Sequence, residues 1–198
     1  KGTLSLDTDL AFNSYSGLLQ LSDLSVDSTV EGLASIPTRM SIKTDAVEVS
    51  SNESQVALQP VELSMLDMDI AVDVQPFSYE GAITPKATIA IDAFSPRSVM
   101  QLFDVVPPET ADPVALSRLI IDATAELTGS AIELTDIVVK LDDTSLTGVV
   151  SIPRTESGFY QFDLKGDAIE LARYMAPVTE SDATERAEAV AVEIPADL

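Results

Sequence analysis

The strongest signal along the chain is a strict alternation of apolar and polar positions. From Leu66 to Val74, the residues Leu66, Met68, Ile70, Val72 and Val74 are apolar, with Asp67, Asp69 and Asp73 between them. Successive side chains of a β-strand point to opposite faces, so this period predicts a half-buried strand about 30 Å long. The pattern recurs from Leu4 to Phe12, where Leu4, Leu6, Leu10 and Phe12 stand against Asp7 and Asp9. It recurs again from Ala87 to Ala93 through Ala87, Ile89, Ile91 and Ala93. Leu66, Met68, Ile70, Val72, Val74, Ile89 and Ile91 together form a candidate apolar sheet face.

β-Branched and aromatic runs bounded by turn residues predict further strands at Leu18 to Val26, Met40 to Val49, Ser54 to Pro60, Leu119 to Thr128, Ala131 to Leu141, Ser145 to Ile152 and Phe159 to Lys165. Short turn signals at Ser51-Asn52, Thr128-Gly129, Asp142-Asp143 and Ser157-Gly158 separate neighbours, so most pairs are expected to be antiparallel hairpins. Helical signals are few. Ser95-Pro96 offers an N-cap with proline at the first helical position, and Val99, Leu102 and Phe103 follow at helical spacing until Pro107-Pro108. Asp112-Pro113 repeats that start, but the pattern turns strand-like from Leu119. A further short helix is expected from Ala168 to Met175, capped by Asp167 and stopped before Pro177.

These elements predict a mainly β fold: an extended, curved antiparallel sheet, either an open groove or sandwich-like, with two or three short helices. A short internal repeat supports extension by repeated strand pairs. Leu19 to Val26 matches Ile132 to Val139 in its order of apolar, hydroxyl and acidic positions, and each is preceded by a strand carrying Leu6-Asp7 or Ile121-Asp122. A β-rich domain is expected over 1–178 and an acidic, alanine-rich linker over 179–191. The start of a following region is expected over 192–198, so the chain reads as a piece of a longer protein with any membrane anchor outside it.

Composition changes the picture mainly by exclusion. Eleven Lys and Arg against 33 Asp and Glu give a formal charge of −22, which argues against a nucleic-acid partner because phosphate binding needs clustered cations. It also keeps a sheet-rich surface soluble. With no cysteine and no histidine, there is no basis for a thiolate nucleophile, an imidazole relay or a sulfur- or imidazole-bound metal. Asp142 and Asp143 are adjacent and are expected in a turn, not as a catalytic carboxylate pair. Asp67, Asp69 and Asp73 share one face of the expected strand, but no calcium-loop glycine accompanies them and they read as solvated positions. No nucleophile elbow or phosphate loop is present. The expectation is no enzyme, no catalytic residue, no cofactor and no metal site. What remains is the apolar face, which must be covered by a second sheet, a helix or a ligand.

The second half of the chain resembles the AsmA family of bacterial envelope proteins. Phe94, Ser95, Pro96 and Arg97 with Leu102-Phe103, then Thr110, Asp112-Pro113 and Ala115-Leu116, are similar to the family's passage from strand to short helix to strand. Leu141, Asp142, Asp143, Thr144, Leu146 and Gly148 resemble its most recognisable stretch, and Phe162-Asp163-Leu164, Ile169, Leu171 and Arg173-Tyr174 continue in the family's order. The Ile194-Pro195 start after a variable linker fits as well. The resemblance is strongest from Phe94 to Pro177. It implies a periplasmic part of an inner-membrane-anchored protein of a Gram-negative bacterium. It also implies a β-sheet groove that shields phospholipid acyl chains in lipid transport between membranes and in outer-membrane assembly. Other envelope proteins are the implied partners, and the family brings no catalytic residue. The other reading is an interaction or structural module of the cell envelope without a lipid groove of its own.

Overall fold

A computed structural model describes residues 1–32, 34, 36–155 and 158–177. The expected linker at 179–191, the region at 192–198 and Ser157 of one turn signal lie outside the described residues. Twelve strands and two helices follow the order β1 (Gly2–Asn13), β2 (Leu18–Val30), β3 (Thr38–Ser50), β4 (Gln55–Leu58), β5 (Val61–Met65), β6 (Met68–Val74), β7 (Phe77–Ser78), β8 (Lys86–Phe94), α1 (Pro96–Leu102), β9 (Leu119–Leu127), β10 (Ala131–Leu141), β11 (Thr144–Pro153), β12 (Gln161–Gly166) and α2 (Leu171–Tyr174). The strands form one open sheet in the order β1-β2-β3-β5-β6-β8-β9-β10-β11-β12. Every pairing is antiparallel. β4 and β7 branch from β3.

The branch lies where β3 changes partners. Its Val47–Ser50 half pairs with β4 and its Met40–Thr44 half with β5, because Pro60 has no N–H to continue the ladder. Thr44, 6 % exposed, sits at this break and donates its hydroxyl to the Gln59 carbonyl at 3.0 Å.

Two departures from the sequence reading have clear causes. The strand expected from Leu66 begins at Met68, because Leu66 (φ 51°) and Asp67 (φ 59°) form the two-residue turn of the β5–β6 hairpin. Positive φ at both central residues is what such a turn requires. Leu66 therefore leaves the apolar strand face, and Asp67 does not share a strand face with Asp69 and Asp73. The second helix is a single turn, Leu171–Tyr174, with Glu170 at its N-cap position. Asp167 caps nothing there. It accepts instead from the Ser145 N–H at 3.0 Å, tying the end of β12 to β11. The first helix starts as expected, with Ser95 accepting from the Ser98 N–H and Pro96 in the first turn. β5 and β7 are additional strands.

The short sequence repeat is a repeat of backbone geometry. Between the pairs Asp7↔Ser25 and Asp9↔Ser22, β2 holds two residues opposite one in β1. Between Asp122↔Val138 and Thr124↔Thr135, β10 holds two opposite one in β9. The matched residues Asp23 (φ 52°) and Asp136 (φ 50°) stand in the left-handed region at these two bulges. Asp tolerates that conformation better than most non-glycine residues, and bulges bend the strand and increase its twist.

Gly148 lies opposite the second bulge, paired with Ile137. A Cβ there would collide with the Asp163 carbonyl oxygen and meet Leu164 Cα at 2.9 Å. Both are backbone atoms of β12, so relief requires moving that strand. Gly148→Ala is expected to destabilise the fold by about 2 kcal/mol and to speed amide hydrogen exchange across Gln161–Gly166. Unchanged exchange there, measured by mass spectrometry, would refute this role for the glycine.

Candidate functional site

Cross-strand partners lie on the same side of a sheet, so the register determines what each face presents. One row runs Leu6, Val26, Ile42, Leu63, Ile70, Ile91, Ile121, Val139, Leu146 and ends at Gly166. It crosses ten strands, about 43 Å at the usual spacing of neighbouring strands, without a polar side chain. A parallel row runs Val74, Ala87, Ala125, Leu134, Val150 and Phe162. The opposite face reads Asp7, Ser25, Lys43, Glu62, Ala71, Ala90, Asp122, Val138, Thr147 and Lys165 through the same registers. Met68, Ile70, Val72, Val74, Ile89 and Ile91 all belong to the apolar face, with Ile70↔Ile91 and Val72↔Ile89 as direct partners.

That face has no covering layer among the described residues. Among the described residues only Ala115, Ala131 and Ile137 are buried apolar residues, and no large side chain is fully buried. Central positions such as Ile70 and Ile91 are half-buried by their neighbours. At the two edges Leu6 is 65 % and Phe162 74 % exposed. Each large aliphatic side chain left in water forgoes part of the roughly 1.5–3 kcal/mol that full burial provides.

The residues behind the family resemblance assemble at one end of the sheet, where β8, β9, β10 and β11 meet both helices. Leu141 ends β10, and Asp142-Asp143 form the two-residue turn to β11, as expected. The Asp142 carboxylate accepts from the backbone N–H groups of Leu116 (2.8 Å), Ser117 (3.1 Å) and Arg118 (3.1 Å), and from the Tyr174 hydroxyl (3.2 Å). Burial pushes this carboxyl up, but the three N–H donors and the phenol outweigh it and hold the group below the usual carboxylate range. Burial also pushes the Tyr174 hydroxyl up, and the Asp142 carboxylate adds to that. Arg173 clamps Asp112 at 2.8 Å and Asp143 at 2.7 Å. Arg97 donates to the Ala115 carbonyl at 3.1 Å and to the Thr110 hydroxyl at 2.9 Å.

The geometry gives these side chains a holding task. They fasten the strandless segment between α1 and β9, and α2 with it, onto the β10–β11 turn. Phe94 ends β8 and pairs with Leu119, while Gly148 acts apart from the cluster through its close approach to β12. Arg173 and Asp112 are the residues whose pairing sequence alone did not reveal, since 61 positions separate them.

A cavity of 1110 Å³ lies at the same end of the sheet between Ile36-Pro37, the β5–β6 turn and α1. Met40, Met65, Leu66, Met68 and Leu102 contribute its apolar lining, so Leu66 borders the cavity from the turn. No group of three or more acidic residues among those described could hold a metal ion, and no described helix is long and apolar enough to cross a membrane. No family model, no curated protein and no solved structure matches the chain.

Asp142→Asn removes the charge from a carboxylate bonded by three backbone N–H groups and the hydroxyls of Ser117 and Tyr174, and is expected to cost about 1–2 kcal/mol at pH 7. Because the native carboxyl is held below its ordinary value, its stabilisation is present above about pH 4 and is lost as pH falls through the native value. The stability gap between parent and variant, followed by urea unfolding, should therefore close in acid. A gap that is constant from pH 7 to pH 3 would contradict the assignment.

Proposed function

We propose that this chain is a non-catalytic β-scaffold that carries lipid, its apolar sheet face contacting phospholipid acyl chains while Asp, Ser, Thr and Lys of the opposite face meet water. The observation that carries this reading is the unbroken aliphatic row from Leu6 to Leu146, over which the described residues place no protein layer. An acyl chain is long, narrow and indifferent to the order of aliphatic residues it lies on. A strip of uniform apolarity crossing the strands suits it better than a compact ligand, which would need converging polar groups. The resemblance from Phe94 to Pro177 supports placing the chain in the periplasm as part of an inner-membrane-anchored protein. There it would serve lipid transport between membranes and outer-membrane assembly.

The two outer strands favour a second reading, a module that pairs with other envelope proteins. β1 has one neighbour among the described strands, and its Leu4, Leu6, Leu10 and Phe12 are 64–74 % exposed. Such an edge is a template for strand addition.

The absence of cysteine permits single spin labels at Ile91→Cys on the apolar face and Ala90→Cys on the opposite face. Purified protein mixed with phospholipid vesicles should show loss of mobility and of water contact at position 91 and little change at 90. Lipid extracted from the purified protein should be phospholipid in near-stoichiometric amount. Equal responses at 90 and 91, with no extractable lipid, would reject the lipid reading and leave the edge-pairing one.

A further inference from the structure

Beside the aliphatic row that starts at Leu6, a second row on the same face runs Leu4, Ser28, Met40, Met65 and Met68, each paired with the next. Met40, Met65 and Met68 are half-buried and line the cavity of 1110 Å³ next to Ile36-Pro37 and α1. They stand two residues along their strands from Ile42, Leu63 and Ile70, about 7 Å away. An acyl chain lying on those aliphatic residues therefore reaches the methionines without leaving apolar surface. Leu102 of α1 and Leu66 of the β5–β6 turn add lining from outside the strands.

The side chains on this face decide which end of an amphiphile the cavity suits. Asp27, Ser41 and Asp69 also border it, but they form one row with Ser5 and Ser64, and Arg39 pairs with Thr29 in the next. Both rows belong to the opposite face, so those side chains leave the sheet away from the methionines. Among the described lining residues, no Lys or Arg side chain stands on the methionine face. The charge at the turn itself, Asp67, is anionic and exposed. A phosphate would meet no cation there, whereas the methyl end of an acyl chain needs none. Methionine's unbranched, polarizable side chain adapts to such an irregular apolar guest.

A second, independent feature is Leu66. It holds φ 51° at the first central position of a two-residue hairpin turn, where Asn, Asp or Gly is at ease and an aliphatic residue is strained. Strain of this kind persists where function uses it. Here it brings an aliphatic side chain to the cavity in place of a polar one.

We propose that this cavity receives the methyl end of a phospholipid acyl chain, so that a lipid on the apolar strip lies with its tail end at Leu66 and Leu102 and its head group away from them. The inference rests on the lipid reading above and adds an orientation to it.

The methionines supply the readout. Of the five in the chain, Met40, Met65 and Met68 line the cavity, whereas Met175 lies outside it and is 64 % exposed. The probe is lysophosphatidylcholine below micelle formation, added to the full chain with 13C-labelled methionine methyls. With a nitroxide near the methyl end of its acyl chain, it should broaden the three cavity signals severalfold more than with the nitroxide next to the ester. Met175 should stay sharp in both cases. Leu66→Asn should weaken binding of the unlabelled lipid severalfold without lowering the urea unfolding midpoint, since asparagine suits the turn.

Stronger broadening from the nitroxide next to the ester would reverse the orientation and overturn the proposal. Equal broadening from both, or unchanged binding by Leu66→Asn, would mean that the cavity does not select the tail end. If neither nitroxide broadens the cavity methyls but labels at Ile91 respond to phospholipid, the cavity is overturned as a tail site while the lipid reading stands. If no lipid perturbs methyls or labels, both proposals fall.

Discussion

The constraint on which the rest of this structure depends is that, among the described residues, a sheet with one apolar face stands as a single layer. In most β-proteins the equivalent face is covered by a second sheet or by helices, and the interlocked side chains supply much of the stability. Here the two helices, of seven and four residues, are too short to cover twelve strands. They gather at one end. Stability must therefore come largely from the ladder itself and from aliphatic partners packed side by side along the rows. This arrangement places a premium on register. A slip of one residue in any central strand would put Asp and Glu into the row from Leu6 to Leu146 and its aliphatic residues into water.

Aspartate serves the backbone at several points where the register changes or the chain reverses. Asp23 and Asp136 occupy the two matched bulges, Asp67 and Asp142 the two-residue turns, all at positive φ. Part of the acidic excess thus has a local conformational use beyond solubility. Asp142 has a further one, because its turn also receives the N–H groups of the 116–118 segment and the Tyr174 hydroxyl. That single carboxylate connects the end of the sheet to the segment before β9 and to α2. The cavity bordered by α1 lies at this same end, so the fastening cluster also fixes one of its walls.

Much of this was legible in the sequence because half-burial writes period 2 directly into residue order. Met68, Ile70, Val72, Val74, Ile89 and Ile91 could be put on one face without coordinates, and the Asp142-Asp143 turn and the Ser95-Pro96 helix start followed from local chemistry. β5 was hidden by phase. Val61, Leu63 and Met65 alternate as cleanly as their neighbours, but the adjacent apolar pair Met65-Leu66 breaks the phase. Leu66 happens to be in step with Met68 and Ile70 and so extended the wrong strand. The turn became visible only through backbone angles, since leucine rarely stands at positive φ. The ion pair of Arg173 with Asp112 could not be read at all. It depends on segments distant in sequence being brought to one end of the sheet.

The charge of the chain bears on what can cover the apolar strip under the proposed reading. Two copies meeting face to face would bring together bodies of formal charge −22, and at physiological salt such repulsion still acts over roughly 8 Å. Close association of copies is therefore opposed where the apolar faces would have to meet, which is the same device that keeps exposed sheets from aggregating. A lipid with no net charge meets no such barrier. Its acyl chain can lie on the aliphatic residues of the strip. Under the proposed reading, the acidic surface thus favours a small amphiphile without net charge over a second copy of the chain.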